Sequence, residues 1–147
     1  MTKGKKRQRS AYDTAVHVLS LRDHGTEELR RKLAGKGYDY DEIDEVIVRL
    51  SELNYLNDNR VARQLVHSMF RRRKGLEAVR RWLYSHGFAR ELIEEISHDE
   101  EYAEQELSVC QEAKERLTGT REKLWIRLKR RGFRQQTIAK VLIVDGD

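Results

Sequence analysis

Gly25-Thr26-Glu27-Glu28-Leu29-Arg30-Arg31-Lys32-Leu33, with Gly37-Tyr38 just beyond, is written again fifty positions later as Gly75-Leu76-Glu77-Ala78-Val79-Arg80-Arg81-Trp82-Leu83, with Gly87-Phe88. A looser third copy keeps Leu124, Leu128, Gly132 and Phe133 at the same mutual spacing. Five residues past each aromatic a second apolar pattern begins, at Ile43/Val46, Ile93/Ile96 and Ile138/Val141. A period of this length is the signature of tandem supersecondary units, which commonly present an extended surface to a macromolecule. The reading is a binding protein rather than an enzyme with one pocket.

Working outward, each copy expands to three helices. Ala15, Val18 and Leu19 make a short stripe before the first copy. Leu29 and Leu33 lie one turn apart, with Glu27 and Glu28 where a helix dipole favours carboxylates. Gly37 supplies the left-handed cap, and Asp39 or Asp41 starts a helix with Ile43, Val46, Ile47, Leu50 and Leu53 at helical spacing. Asn54 to Asn59 breaks the pattern, with Asn57 or Asp58 opening the next helix, whose face is Val61, Ala62, Leu65, Val66, Met69 and Phe70. The third triplet opens with a helix near Glu100 to Leu117 bearing the stripe Ala103, Leu107, Cys110 and Leu117. No segment alternates as a strand would. The expected fold is all-α, an elongated array of three tandem three-helix repeats over residues 11–56, 57–98 and 99–144, after a flexible basic arm at 1–10.

Composition agrees. Charged residues make up 37% of the 147 and apolar ones 38%, with no proline, as suits helices that keep much of their surface wet. The net charge of +5 hides alternating blocks. They run +5 over residues 1–10, −5 over 11–59, +8 over 60–90, −9 over 91–115, +8 over 116–140 and −2 beyond. Such blocks speak to partners and orientation. The acidic stretch 91–115 either neutralises its basic neighbours or forms a solvated face. Cys110 is the only cysteine, and no apolar run is long enough to span a bilayer. These features point to a reducing, cytoplasmic setting without membrane contact.

Chemistry is scarce. His17, His24, His67, His86 and His98 have no partners at zinc-ligand spacing, and no phosphate-binding glycine loop is present. No metal or other cofactor is therefore expected. Carboxylates read as solvated helix faces, Cys110 as core, and Asp23-His24 as a turn pair capping the next helix. No active site emerges, so the chain reads as a non-enzyme.

Cations tell more. Arg71, Arg72, Arg73 and Lys74 close one helix, and Arg80 and Arg81 sit on the next. In the third copy Arg127, Lys129, Arg130, Arg131 and Arg134 gather at the matching turn, and in the first Arg30, Arg31, Lys32 and Lys36 do so. One such run is ordinarily a solvated face. Three at one landmark suggest a stripe for phosphate backbone or an acidic protein groove. Tyr38, Phe88 and Phe133 read as packing plugs, Tyr55 as another, and Trp82 and Trp125 as half-buried.

Arg22-Asp23-His24 with Glu27 to Leu33, and Leu53-Asn54-Tyr55-Leu56-Asn57-Asp58-Asn59-Arg60-Val61-Ala62-Arg63, resemble the RecX family of bacterial recombination regulators. Lys74-Gly75 and Arg130-Arg131-Gly132-Phe133 agree, and the likeness runs from about Ala11 to Leu142. Asn54 stands where the family usually has glycine, and Gly25 where it usually has a hydroxyl cap. The resemblance implies a protein that binds RecA and lodges in the groove of the RecA–single-stranded DNA filament. It implies reduced ATPase, strand-exchange and coprotease functions, a place in DNA repair, recombination and the SOS response, and no catalysis of its own. On that reading Arg71, Arg72, Arg73, Lys74, Arg80, Arg81, Arg127, Lys129, Arg130 and Arg131 face the filament or its DNA, with weak direct contact to DNA, and the chain is a monomer. The alternative is a general nucleic-acid-binding helical protein acting through its basic patches, and a third is a helical adaptor.

Overall fold

The computed structural model describes residues 9–144; the basic segment 1–8 and the tail 145–147 lie outside the described residues. Among the described residues there are nine α-helices and no strand. They are α1 (Ala11–Leu21), α2 (Thr26–Gly35), α3 (Tyr40–Glu52), α4 (Asp58–Arg71), α5 (Leu76–Ser85), α6 (Arg90–Ser97), α7 (Glu100–Glu115), α8 (Arg121–Arg130) and α9 (Gln135–Val144). They form three triplets, and the chain divides into two compact units between Val61 and Ala62, inside α4. The repeat glycines have φ of 91° at Gly37, 77° at Gly87 and 82° at Gly132, a region closed to most side chains. Each ends the middle helix of its triplet and turns the chain into the aromatic plug.

In the first unit α1, α2 and α3 pack around Leu29, Leu33, Ile43 and Leu50, all fully buried. Each such side chain contributes roughly 1.5–3 kcal/mol by leaving water. Tyr38 is only partly buried, because its hydroxyl is engaged by Thr14 at 2.7 Å and by the Arg9 carbonyl at 2.6 Å. Leu53, read as the last core position of α3, is the half-exposed C-cap, and Asn54 takes the left-handed turn at φ 61°. Tyr55 is not a plug: it is 54% exposed, and the buried side chain there is Leu56. The left-handed residue rotates the chain so that the second following position, rather than the first, points inward.

In the second unit Ala62, Val66, Met69 and Phe70 form the buried face of α4. The Tyr102 ring of α7 meets Phe70 and His67 edge-on, at centroid separations of 6.4 and 6.1 Å. A second cluster joins Cys110 and Ala113 of α7 to Leu128, Phe133, Ile138, Val141 and Leu142. The stripe of α7 differs from the sequence reading by one position. Tyr102, Glu106, Cys110 and Ala113 are buried, while Leu107 is exposed and Ala103 half-buried. The apolar set was followed, yet the true stripe includes a carboxylate.

Glu106 is fully buried and accepts four hydrogen bonds from three residues. Its Oε2 accepts from the Leu76 amide at 2.8 Å and the Arg134 amide at 3.4 Å. Its Oε1 accepts from Arg134 Nε at 2.8 Å and the Thr137 hydroxyl at 2.6 Å. One carboxylate thus serves the N-termini of α5 and α9. The need arises from the sequence, because Gly75, the N-cap of α5, has no side chain to offer. The same solution serves Gly25 of α2, where Asp58 at the start of α4 accepts from the Thr26 amide at 2.7 Å and hydroxyl at 3.0 Å. In both cases the first helix of the following triplet supplies the cap. The last middle helix, α8, carries its own: the Thr120 hydroxyl accepts from the Lys123 amide at 3.3 Å.

Glu106→Gln leaves half-buried Arg134 without its counter-charge and weakens both caps. Chemical denaturation is expected to show a loss of about 3 kcal/mol, in the range for breaking a buried ion pair. A loss below about 1 kcal/mol would show that the network contributes little.

Candidate functional site

The middle helix of the second triplet and the turn of the third are in backbone contact. Gly75 N donates to the Arg131 carbonyl at 3.0 Å, and Glu77 N and Ala78 N donate to the Gly132 carbonyl at 2.9 and 3.3 Å. Neither glycine leaves room for a methyl group. A Cβ on Gly75 would lie 2.4 Å from the Gly132 carbonyl oxygen, and one on Gly132 would lie 2.4 Å from Ala78 Cβ. Of the orphan amides that open α5, those of Glu77 and Ala78 are therefore satisfied by the carbonyl that closes α8, and that of Leu76 by Glu106.

This contact gathers the two main basic clusters of the sequence in one unit. Arg71 ends α4 and is exposed; Arg72 is exposed and reaches back to Ser68, at 3.4 Å from both its carbonyl and its hydroxyl. Arg73 holds φ 54°, closing α4 where glycine would be less strained, and lies 3.8 Å from Glu112. Lys74 is half-buried directly before Gly75. From the other side come exposed Arg127, which donates to the Thr118 carbonyl at 3.2 Å, half-buried Lys129 and Arg131, and exposed Arg130. Arg80 and Arg81 continue along α5, exposed and sharing one carboxylate, Glu77, at 3.5 and 3.8 Å. Exposed pairs of this kind are weak and leave the cations available to a stronger anion.

Arg134 belongs elsewhere: it is the half-buried partner of Glu106 and not part of the exposed basic set. The first triplet uses its cations internally. Arg30 is ion-paired with Asp44 and lies 3.5 Å from Glu27, Arg31 is 3.9 Å from Glu27, and Lys32 Nζ is 2.9 Å from His24 Nε2. The acidic stretch 91–115 does in part neutralise its neighbours, since Glu95 and Asp99 pair with Arg63 at 3.3 and 3.5 Å.

The sequence reading missed Glu106 as the organiser of this surface. Its signal was present: Glu106 sits four residues from both Tyr102 and Cys110, on one helical stripe. Burial, followed by the charge of Glu106, pushes the Cys110 thiol up to about 12, as expected of an inert core cysteine. Trp82 has one face covered by His86, stacked at 3.7 Å.

Asp23-His24 does not cap α2. Asp23 pairs with Arg60 at 3.4 Å, while Glu28 accepts from the Gly25 amide at 3.3 Å. His24 is buried, with Nδ1 at 3.0 Å from the Arg22 carbonyl and Nε2 facing the Lys32 ammonium. The geometry suits a neutral ring protonated at Nδ1. Among the described residues no cluster of three metal-ligating side chains occurs, and no helix is long and apolar enough to cross a membrane.

Fold and surface together define a three-helix-repeat protein with a set of exposed cations in its second unit. Residues 11–50 match the family model for the first three-helix domain of RecX, and residues 57–96 that for the second. "Regulatory protein RecX" of Prosthecochloris aestuarii is 33% identical, covering 91% of this chain and 92% of its own length. That of Chlorobaculum tepidum is 34% identical, covering 97% and 91%. The crystal structure of RecX from Lactobacillus salivarius superposes with a TM-score of 0.80 at 21% identity, over 91% of this chain and 93% of that one. The chain belongs to the RecX family, whose named relatives are regulatory proteins.

Burial of His24 holds its pKa below the ordinary 6.5, against the opposing pull of the Arg22 carbonyl and Glu28. A depressed histidine pKa means that the unfolded chain takes up a proton which the folded chain resists. Stability is thus retained above pH 6.5 and falls as the pH drops from there toward the folded-state value. Melting followed from pH 7.5 to 5.5 should show this loss, and His24→Gln should flatten it; an unchanged slope in the variant would assign the loss to other groups.

Proposed function

We propose that this chain binds RecA and the RecA–single-stranded DNA filament, lodges in the filament groove and restrains it. The outcome is reduced recombinase, ATPase and coprotease activity, and through them modulation of DNA repair, recombination and the SOS response. The chain acts without a catalytic activity or cofactor of its own, as a monomer in the cytoplasm. Family membership supports the regulatory role. The observation that carries the reading is the junction of α5 with the α8–α9 turn, which draws cations from two triplets toward one place.

A filament groove repeats charge along its length, in DNA phosphates and acidic protein surface. Cations held on a rigid scaffold steer onto such a target and keep their conformational cost low. Several modest contacts on one scaffold add through effective concentration. The buried Ile93 and Ile96 of α6 weigh against the rival helix-turn-helix reader of duplex DNA, because they turn that helix toward the core.

The test is the ATPase rate of preformed RecA filaments on excess single-stranded DNA, titrated with this chain well below one per RecA. Inhibition at such ratios is expected. Inhibition only near saturation of the DNA would instead indicate a DNA-binding competitor. Arg80→Glu with Arg81→Glu should weaken filament binding at least tenfold with the helical circular dichroism unchanged. Unaltered affinity would remove these two residues from the interface.

A further inference from the structure

The C-terminal half of α5 and the start of α6 enclose an open groove of about 440 Å³. Phe88 and Ile93 lend it an apolar, buried floor, and Arg80, Tyr84 and Arg90 line it with Glu94. Tyr84 is 81% exposed, the most exposed large apolar side chain among the described residues. Neither helix-forming preference nor core packing calls for an aromatic there, and a solvated ring costs free energy that a polar residue would not. Arg90 is also exposed, as the first residue of α6, where the helix dipole favours carboxylates and opposes a cation.

We propose that this groove is a single-stranded DNA subsite that takes one unstacked nucleotide. Tyr84 stacks on the base, while Arg80 and Arg90 hold the flanking phosphates. The volume falls in the range of roughly 300–1,000 Å³ that holds small ligands. Single-strand sites combine a cationic track with an exposed aromatic platform, because every base has a stacking face and every nucleotide a phosphate. Duplex DNA keeps its bases stacked and offers none to Tyr84. Among the described residues the one acidic side chain lining the groove is Glu94, whose carboxylate lies 3.5 Å from the His98 ring. Arg80 lines the groove and shares Glu77 with Arg81 on the same helix. The assignment therefore deepens the filament reading by giving this part of the basic surface to DNA rather than to protein.

Binding of a fluorescein-labelled oligothymidine of about fifteen nucleotides, measured by anisotropy without RecA, tests it. Tyr84→Ala should weaken binding at least fivefold, the lower end of what loss of one stacking contact does. Tyr84→Phe should stay within twofold of wild type, since it keeps the stacking face. Arg90→Gln should weaken binding and reduce the steepness of its salt dependence. Wild-type affinity in Tyr84→Ala, or no binding by the unmutated chain, overturns the subsite. Either result leaves the filament reading to RecA ATPase inhibition. Conversely, Tyr84-dependent oligonucleotide binding with no effect on RecA would sustain the subsite and overturn the filament reading.

Discussion

The buried carboxylate of Glu106 is the interaction on which the second unit depends. Two middle-helix N-caps in this chain are glycines, and a glycine cap leaves backbone amides without a local acceptor. At Gly75 a side chain would strike the Gly132 carbonyl oxygen at 2.4 Å, so glycine is required there and the cap must come from elsewhere. Glu106 provides it from α7, and the same carboxylate opens α9 and neutralises Arg134. Close approach, absent cap and buried charge are therefore one constraint seen from three sides. Asp58 meets the corresponding need of α2 in the first unit, which makes capping by the following triplet a rule of this fold.

Function follows from what that constraint places near one another. The α8–α9 turn must lie against the start of α5 for the amides of Gly75, Glu77 and Ala78 to find acceptors. The residues on either side of these contacts are overwhelmingly cationic. Their mutual repulsion opposes the junction, and the carboxylates that lie against them are half-buried Glu77, beside Arg80 and Arg81, and Glu112, beside Arg73. Under the proposed function, an anionic partner would repay that repulsion on binding.

Much of the fold was legible in the sequence, because the strongest local signals agree with the tertiary solution. The glycine–aromatic pairs mark left-handed turns that only glycine enters readily, and all three stand at those turns. The buried faces of α3 and α4 follow simple helical spacing. What escaped reading shares one cause: the decisive partner is remote in sequence. Glu106 looks like one more carboxylate on an acidic helix until α5 and α9 arrive, at separations of 28 to 31 residues. Following apolar residues alone shifted the α7 stripe onto Leu107. Tyr55 reads as a plug because aromatics fill that role elsewhere, whereas the left-handed Asn54 turns Leu56 inward instead. Arg134 was grouped with surface cations for the same reason: charge is local in sequence, but its neutralisation is not.

The central claim is that Glu106 organises the basic surface without belonging to it. The most direct measurement is the affinity of Glu106→Gln for RecA-coated single-stranded DNA, taken together with hydrogen exchange at the Leu76 amide. The account predicts faster exchange at Leu76 and affinity reduced severalfold, although no surface cation has been altered. A freed Leu76 amide with full affinity would contradict it, showing that the two basic clusters act independently of the junction between them.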